Sequence, residues 1–298
     1  MNRRMFGWKI AGILLLSSVL VAFIFFGTSS PRKQRFKSQL DHLIPPEVKD
    51  DLFYQAIYRM ARDEPVNTIL EIGSSSGEGS TEAFVLGIRE NPQRPTLFCV
   101  EVSRRRFAKL KEHYQQEPQV RCYNVSSIST DKFPQESEVC HFYNTTPSKL
   151  NQTPLPIVLS WLKQDIDYIK REDVPQQGIE LIQKENRIAH FDMVLIDGSE
   201  FAGIAELDQI YGAKFIFLDD ICTFKNFLNR KRLLNDPNYT LVEENLEVRN
   251  GYAIFKRVGP FFNKSISIKE KYRTSTNFLR QLGNIISESS CQNSWNCL

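Results

Sequence analysis

The chain has 298 residues, 41% hydrophobic and 24% charged, with 14 glycines and 14 prolines. That composition excludes a collagen-like, mucin-like or mainly disordered polymer and suffices for a large packed core. The net charge of +3 is unevenly spread: Arg3, Arg4, Lys9, Arg32, Lys33, Arg35 and Lys37 stand in the first 40 residues without an acid, and beyond them 31 bases face 35 acids. A mildly acidic body lacks the footprint of a phosphate-backbone binder, so no nucleic-acid partner is expected.

Residues 10–26 carry no charge, and the uncharged run extends to 31. Its 22 residues, at about 1.5 Å each in a helix, span a hydrocarbon core of roughly 30 Å. A single transmembrane anchor within 1–30 is therefore expected. The competing reading is a secretory signal peptide, but the run exceeds the usual apolar stretch of about 7–15 residues and no Ala-x-Ala site follows. Three bases before the run and four after it leave orientation close to a tie. Cys99, Cys122 and Cys222 fall in or beside strand-like runs, Cys291 and Cys297 are spaced to pair, and five Asn-x-Ser/Thr sequons occur at Asn124, Asn144, Asn151, Asn238 and Asn263. Neither set fixes a compartment.

Residues 31–45 are polar and basic, a linker by composition, and the folded domain is expected over 46–257. An amphipathic helix is predicted over 47–62, with apolar residues three and four apart. A strand at 68–72 ends in a Gly/Ser turn, and a helix follows over 81–89; a strand at 96–102 leads to a helix at 104–114, and a third strand covers 120–125. This alternation implies a parallel sheet with right-handed crossovers. Residues 126–190 interrupt it with an insertion holding two helices, 155–170 and 178–187, long enough to cover a binding site. Strands return at 191–197 and 214–220, a helix is predicted over 223–234, and two strand-like runs, 240–244 and 252–256, flank Arg249-Asn250-Gly251 as an antiparallel hairpin. Residues 258–298 form a polar tail with one short apolar run near 278–286.

The turn after the first strand reads Glu71-Ile72-Gly73-Ser74-Ser75-Ser76-Gly77. Glycine there lets the backbone approach a ligand at the carboxyl edge of a doubly wound sheet. The spacing is not that of dinucleotide binders, since Ser75 holds the place of the second glycine, and no P-loop lysine follows. A carboxylate at Glu101, closing the second strand, can accept two hydrogen bonds from a ribose diol; the alternative is an exposed strand-end glutamate.

With these residues the chain resembles the class I S-adenosylmethionine-dependent methyltransferases over about 47–257. The resemblance implies a Rossmann-like, doubly wound, mostly parallel seven-stranded sheet with an antiparallel last strand, and S-adenosyl-L-methionine as cofactor. It assigns Glu71, Gly73, Ser74, Ser75 and Gly77 to the methionine part and Glu101 to the ribose; Ser126, beyond the third strand, completes the candidate cofactor set.

Asp197-Gly198-Ser199 and Asp219-Asp220 end two strands expected to be neighbours, so three carboxylates could converge beside the cofactor. This is similar to the metal-dependent catechol-type O-methyltransferases, which implies Mg²⁺ or another divalent cation on Asp197, Asp219 and Asp220. Asp220 departs from that family's asparagine, and Glu200 stands in place of its lysine base. Asp197 and Glu200 are the catalytic candidates; the alternative is that Asp197 borders the cofactor without metal and the Asp219-Asp220 pair caps a helix. Scattered histidines, the absence of Cys-x-x-Cys and the absence of a Gly-x-Ser-x-Gly elbow argue against a zinc site and a serine hydrolase.

The expected protein is thus a membrane-anchored O-methyltransferase acting on a small-molecule or glycan-like acceptor; a cytosolic cofactor pool favours a domain on the cytoplasmic side, and a luminal domain with its own cofactor supply is the alternative. An NAD(P)-dependent oxidoreductase and a non-catalytic cofactor-binding scaffold are the alternatives.

Overall fold

The computed structural model describes residues 39–259, which belong to one compact unit. The expected anchor at 10–26, the apolar run near 278–286, Cys291, Cys297 and the sequon at Asn263 lie outside the described residues. Among the described residues no helix is long and apolar enough to cross a membrane.

The first helix, α1 (Leu52–Asp63), starts later than its apolar spacing suggested, because the Asp51 carboxylate caps it by accepting from the Tyr54 N–H at 2.8 Å. Then come β1 (Thr68–Ile72), α2 (Ser80–Glu90), β2 (Thr96–Val100), α3 (Arg104–His113) and β3 (Val120–Tyr123). The insertion supplies α4 (Glu136–Thr145), α5 (Leu155–Arg171) and α6 (Gly178–Asn186). β4 (Met193–Ile196), α7 (Gly203–Ile210), β5 (Phe215–Asp219), α8 (Phe227–Leu234), β6 (Tyr239–Asn245) and β7 (Tyr252–Arg257) complete the fold. Two helices have no counterpart in the sequence reading. In α4 only Val139 and Phe142 are buried, too few for a clear period, and α7 is only eight residues long.

The seven strands run in the order β3-β2-β1-β4-β5-β7-β6, parallel except for β7, which is antiparallel to both neighbours. Alternation along the strands separates two cores. Leu70, Ile72, Val194, Ile196, Ile216 and Leu218 face α6, α7 and α8, whereas Ile69, Met193, Leu195, Phe215 and Phe217 face α1, α2 and α3. The insertion has its own apolar cluster, in which Phe142 meets Phe224 of the β5–α8 turn with ring centroids 5.0 Å apart. That anchorage holds α5 over the carboxyl edge of the sheet.

The order reverses between β1 and β4, and here the backbones nearly touch. A Cβ on Gly73, whose φ is +93°, would lie 2.0 Å from the Asp197 carbonyl oxygen, so only glycine fits. This is the topological switch point at which doubly wound sheets open a crevice.

Phe217 is fully buried and packs edge-on against Phe84, centroids 6.1 Å apart. Phe217→Ala is expected to destabilise the domain by about 3–5 kcal/mol, read from denaturant unfolding, since the sheet and α2 cannot collapse into the void.

Candidate functional site

A cavity of about 350 Å³ opens at the switch point, within the range of small-molecule sites, about 300–1,000 Å³. Of the expected cofactor residues, Gly73, Ser74, Ser75, Glu101 and Ser126 line it, as do Asp197, Asp219 and Asp220. Three expected residues do not. Glu71 is fully buried behind the turn, where its two oxygens accept from Ser80 Oγ and Thr81 Oγ1, both at 2.7 Å, tying the turn to the first residues of α2. Gly77 faces the Tyr114 ring, which a Cβ would meet at 2.6 Å. Glu200 accepts from Thr223 Oγ1 at 3.1 Å and the Lys225 N–H at 3.3 Å, and so braces the β5–α8 turn instead of reaching the cavity. Spacing along the chain located all three near the edge, but packing decided what each of them faces.

Glu101 is held at the cavity wall by two backbone donors, Ser75 N–H on Oε2 at 2.8 Å and Ser103 N–H on Oε1 at 2.6 Å. Each oxygen keeps a further lone pair for a ligand hydroxyl. Burial raises its pKa, opposed by the two N–H groups and by Arg106. The Ser74 hydroxyl is buried on the same wall, near Glu71, and makes no hydrogen bond within ordinary limits. A buried carboxylate with spare lone pairs beside a glycine turn fits a nucleoside cofactor with a polar tail.

The cover of the cavity was only partly legible. Residues 40 and 44–48, expected to be mostly linker, form part of the wall. They are docked through Tyr168, whose hydroxyl donates to Asp41 at 2.8 Å, and through Arg106, whose Nε donates to the His42 carbonyl at 2.9 Å. From the insertion come Phe133, Asp165 and Ile169. Tyr168 is core, and Trp161 stands at the surface. Asp165 was missed because it is one polar residue among several on α5; it accepts from Ser199 Oγ at 2.5 Å, and burial pushes its pKa up to about 6.

The three strand-end aspartates do converge, each offering an oxygen within 4.8 Å of the others. Two cations from later in the chain already meet them. Lys225 Nζ lies 2.9 Å from Asp197 Oδ1 and 2.6 Å from Asp220 Oδ2, and Arg249 Nη1 lies 2.8 Å from both oxygens of Asp219. Burial raises Asp197 to about 6 against the pull of Lys225. For Asp220 burial is outweighed by Lys225, Asn250 and Arg249, and its pKa falls. Lys225 is itself buried, but Asp197, Asp220, Asp219 and Glu200 hold its pKa well above the ordinary lysine range, so it stays charged. Neither Lys225 nor Arg249 carried a signal: one lies in a turn and the other in the hairpin loop.

Against known proteins, no family model matches the chain and no curated protein matches it. Solved structures do. The O-methyltransferase of Bacillus cereus in complex with SAH is similar over 72% of this chain and 84% of its own, at 10% identity and a TM-score of 0.44. TomG of Streptomyces achromogenes, an O-methyltransferase involved in tomaymycin synthesis and solved with SAM, matches over 70% and 80%, at 11% and 0.41. An SAH-bound methyltransferase of Podospora anserina matches over 87% and 100%, at 14% and 0.40. Values this low assign no chemistry to this chain, and its functional reading rests on its own residues.

Behind the cavity, Glu206 is fully buried: Oε1 accepts from Ser127 Oγ at 2.5 Å and Oε2 has no partner. Burial lifts its pKa from 4.5 to about 7. The folded state then holds a proton that the unfolded chain releases near 4.5, so this stabilisation is complete below that pH and lost as pH rises through about 7. Glu206→Gln is expected to flatten the pH dependence of unfolding between pH 5 and 8, by about 3 kcal/mol at most.

Proposed function

We propose that this protein is an S-adenosylmethionine-dependent O-methyltransferase. The observation that carries the reading is one cavity with the buried Glu101 carboxylate and the Gly73–Ser76 turn on its walls and a cluster of aspartates on the adjoining strand ends. Glu101 would accept the two ribose hydroxyls, and Gly73, Ser74 and Ser75 would hold the methionine part. S-adenosylmethionine supplies a methyl group on a positively charged sulfur, open to in-line attack by an oxygen.

What remains for the protein is alignment and a proton. Asp165 is the carboxylate best suited to accept it. It reaches the cavity from the insertion, is oriented by the Ser199 hydroxyl, and titrates near 6, so it is a free base at neutral pH. An acceptor hydroxyl that takes the methyl would pass its proton to Asp165. Asp197, whose Oδ1 is held by Lys225, lines the same edge and positions the groups there. The insertion over the cavity supports a small-molecule or glycan-like acceptor.

The charge-free run at 10–26 supports a single-pass anchor, with the domain on the cytoplasmic face, next to the cofactor pool. Extraction of membranes with alkaline carbonate tests it: the anchored protein stays in the pellet, and release into the supernatant would refute the span.

Calorimetric titration of the protein with S-adenosylmethionine is expected to show one site, weakened at least about tenfold in Glu101→Ala, the loss of one hydrogen-bonded carboxylate. NAD is expected not to bind. No binding of S-adenosylmethionine to the folded protein would overturn the reading. Binding without transfer to any acceptor would favour a scaffold. Once an acceptor is found, Asp165→Asn is expected to lower kcat by about 10²–10⁴ with cofactor affinity unchanged, and the wild-type rate to rise with pH through about 6.

A further inference from the structure

The acidic edge of the cavity carries an unexpected feature, a lysine between the carboxylates that a divalent ion would need. Mg²⁺ demands oxygens at about 2.0–2.1 Å in octahedral array, and Ca²⁺ at about 2.3–2.6 Å. A metal bridging Asp197 Oδ1 and Asp220 Oδ2 would have to enter the space where Lys225 Nζ bonds both, at 2.9 and 2.6 Å. The residues present therefore do not fit a divalent ion while Lys225 is in place.

Lys225 is not a surface side chain that has fallen inward. Its side chain is only 8% exposed, and its backbone is pinned on two sides. Asn226, buried, donates from Nδ2 to the Ile196 and Asp219 carbonyls at 3.0 and 2.6 Å, which clips the β5–α8 turn across the ends of β4 and β5. Gly203 at the start of α7 lies so close that a Cβ would stand 2.1 Å from the Lys225 carbonyl oxygen. Asp220 holds a left-handed conformation, φ +55°, that turns the chain toward this arrangement. Displacing the ammonium would strand a buried cation, and it would leave three carboxylates sharing only Arg249.

We propose that the Lys225 ammonium is the built-in cation of this site, taking the place of a divalent metal, and that it engages the acceptor through a single oxygen. An ammonium has three N–H donors; Asp197 and Asp220 take two, which leaves one. A divalent ion with open positions can chelate two vicinal oxygens, whereas one remaining donor holds one. The acceptor class that fits is an isolated hydroxyl, and the positive charge stabilises the negative charge that builds on that oxygen as its proton leaves. The acceptor part of the proposal rests on the methyltransferase reading; the cation part does not.

The test is a Mn²⁺ titration of the detergent-solubilised full chain, stripped with EDTA, followed by electron paramagnetic resonance of free Mn²⁺ and by thermal unfolding. Wild type and Lys225→Arg are expected to bind no stoichiometric Mn²⁺ and to keep their Tm. Lys225→Ala, which frees Asp197 and Asp220 while Arg249 keeps Asp219, is expected to gain one Mn²⁺ site and a Tm that rises with Mn²⁺. One tight Mn²⁺ on wild type, lost in Asp197→Asn, would overturn the proposal, as would a folded Lys225→Ala that binds none. Should Lys225→Ala not fold, Lys225→Gln and the wild-type titration decide the same question. These readouts require no methyl transfer, so they stand apart from the success or failure of the proposed activity. For the acceptor, transfer that survives EDTA and accepts single-hydroxyl compounds at least as well as catechols is expected; transfer confined to catechols and abolished by EDTA would refute it.

Discussion

The buried charge cluster at the ends of β4 and β5 is the constraint around which this site is arranged. Three carboxylates there, Asp197, Asp219 and Asp220, would repel one another strongly in a medium that excludes water, and the fold meets that cost with two cations brought from the β5–α8 turn and the hairpin loop. Each cation couples the cluster to something else. Arg249 also bonds Asp51 at 2.8 Å, the residue that caps α1, so hairpin, strand end and first helix share one electrostatic bond network. Lys225 is fixed by a turn that Glu200 and Asn226 hold from below, which gives the glutamate at position 200 a bracing contact in the β5–α8 turn.

The opposite end of the cavity follows a different logic. Glu71 and Glu101 are both buried carboxylates on neighbouring strands, but their partners differ. Glu71 accepts from two hydroxyls of α2 and ties the glycine turn to the helix, a structural role. Glu101 accepts from two backbone N–H groups and keeps its outward lone pairs, a role that a ligand can complete. Between them, Gly73 lets the turn after β1 come up against the Asp197 carbonyl at the end of β4.

Cover comes from segments remote in sequence. α5 contributes Asp165 and Ile169, and residues 40–48 close another side through Asp41 and His42. The segment immediately following the basic stretch after the uncharged run is therefore part of the cavity wall, which ties the entry of the chain to the site.

The amino-acid sequence determined the alternating strands and helices, the closing hairpin, the turn at Gly73, the place of Glu101 at the end of the second strand and the convergence of three aspartates, because each is a local pattern whose period or position follows from backbone geometry. The tertiary structure decided which way those residues face. It turned Glu71, Gly77 and Glu200 away from the cavity, brought in Asp165, and set Lys225 and Arg249 among the aspartates. Such choices depend on desolvation and packing between segments far apart in the chain, and a buried charge selects its partner by distance in space, which no spacing along a chain encodes.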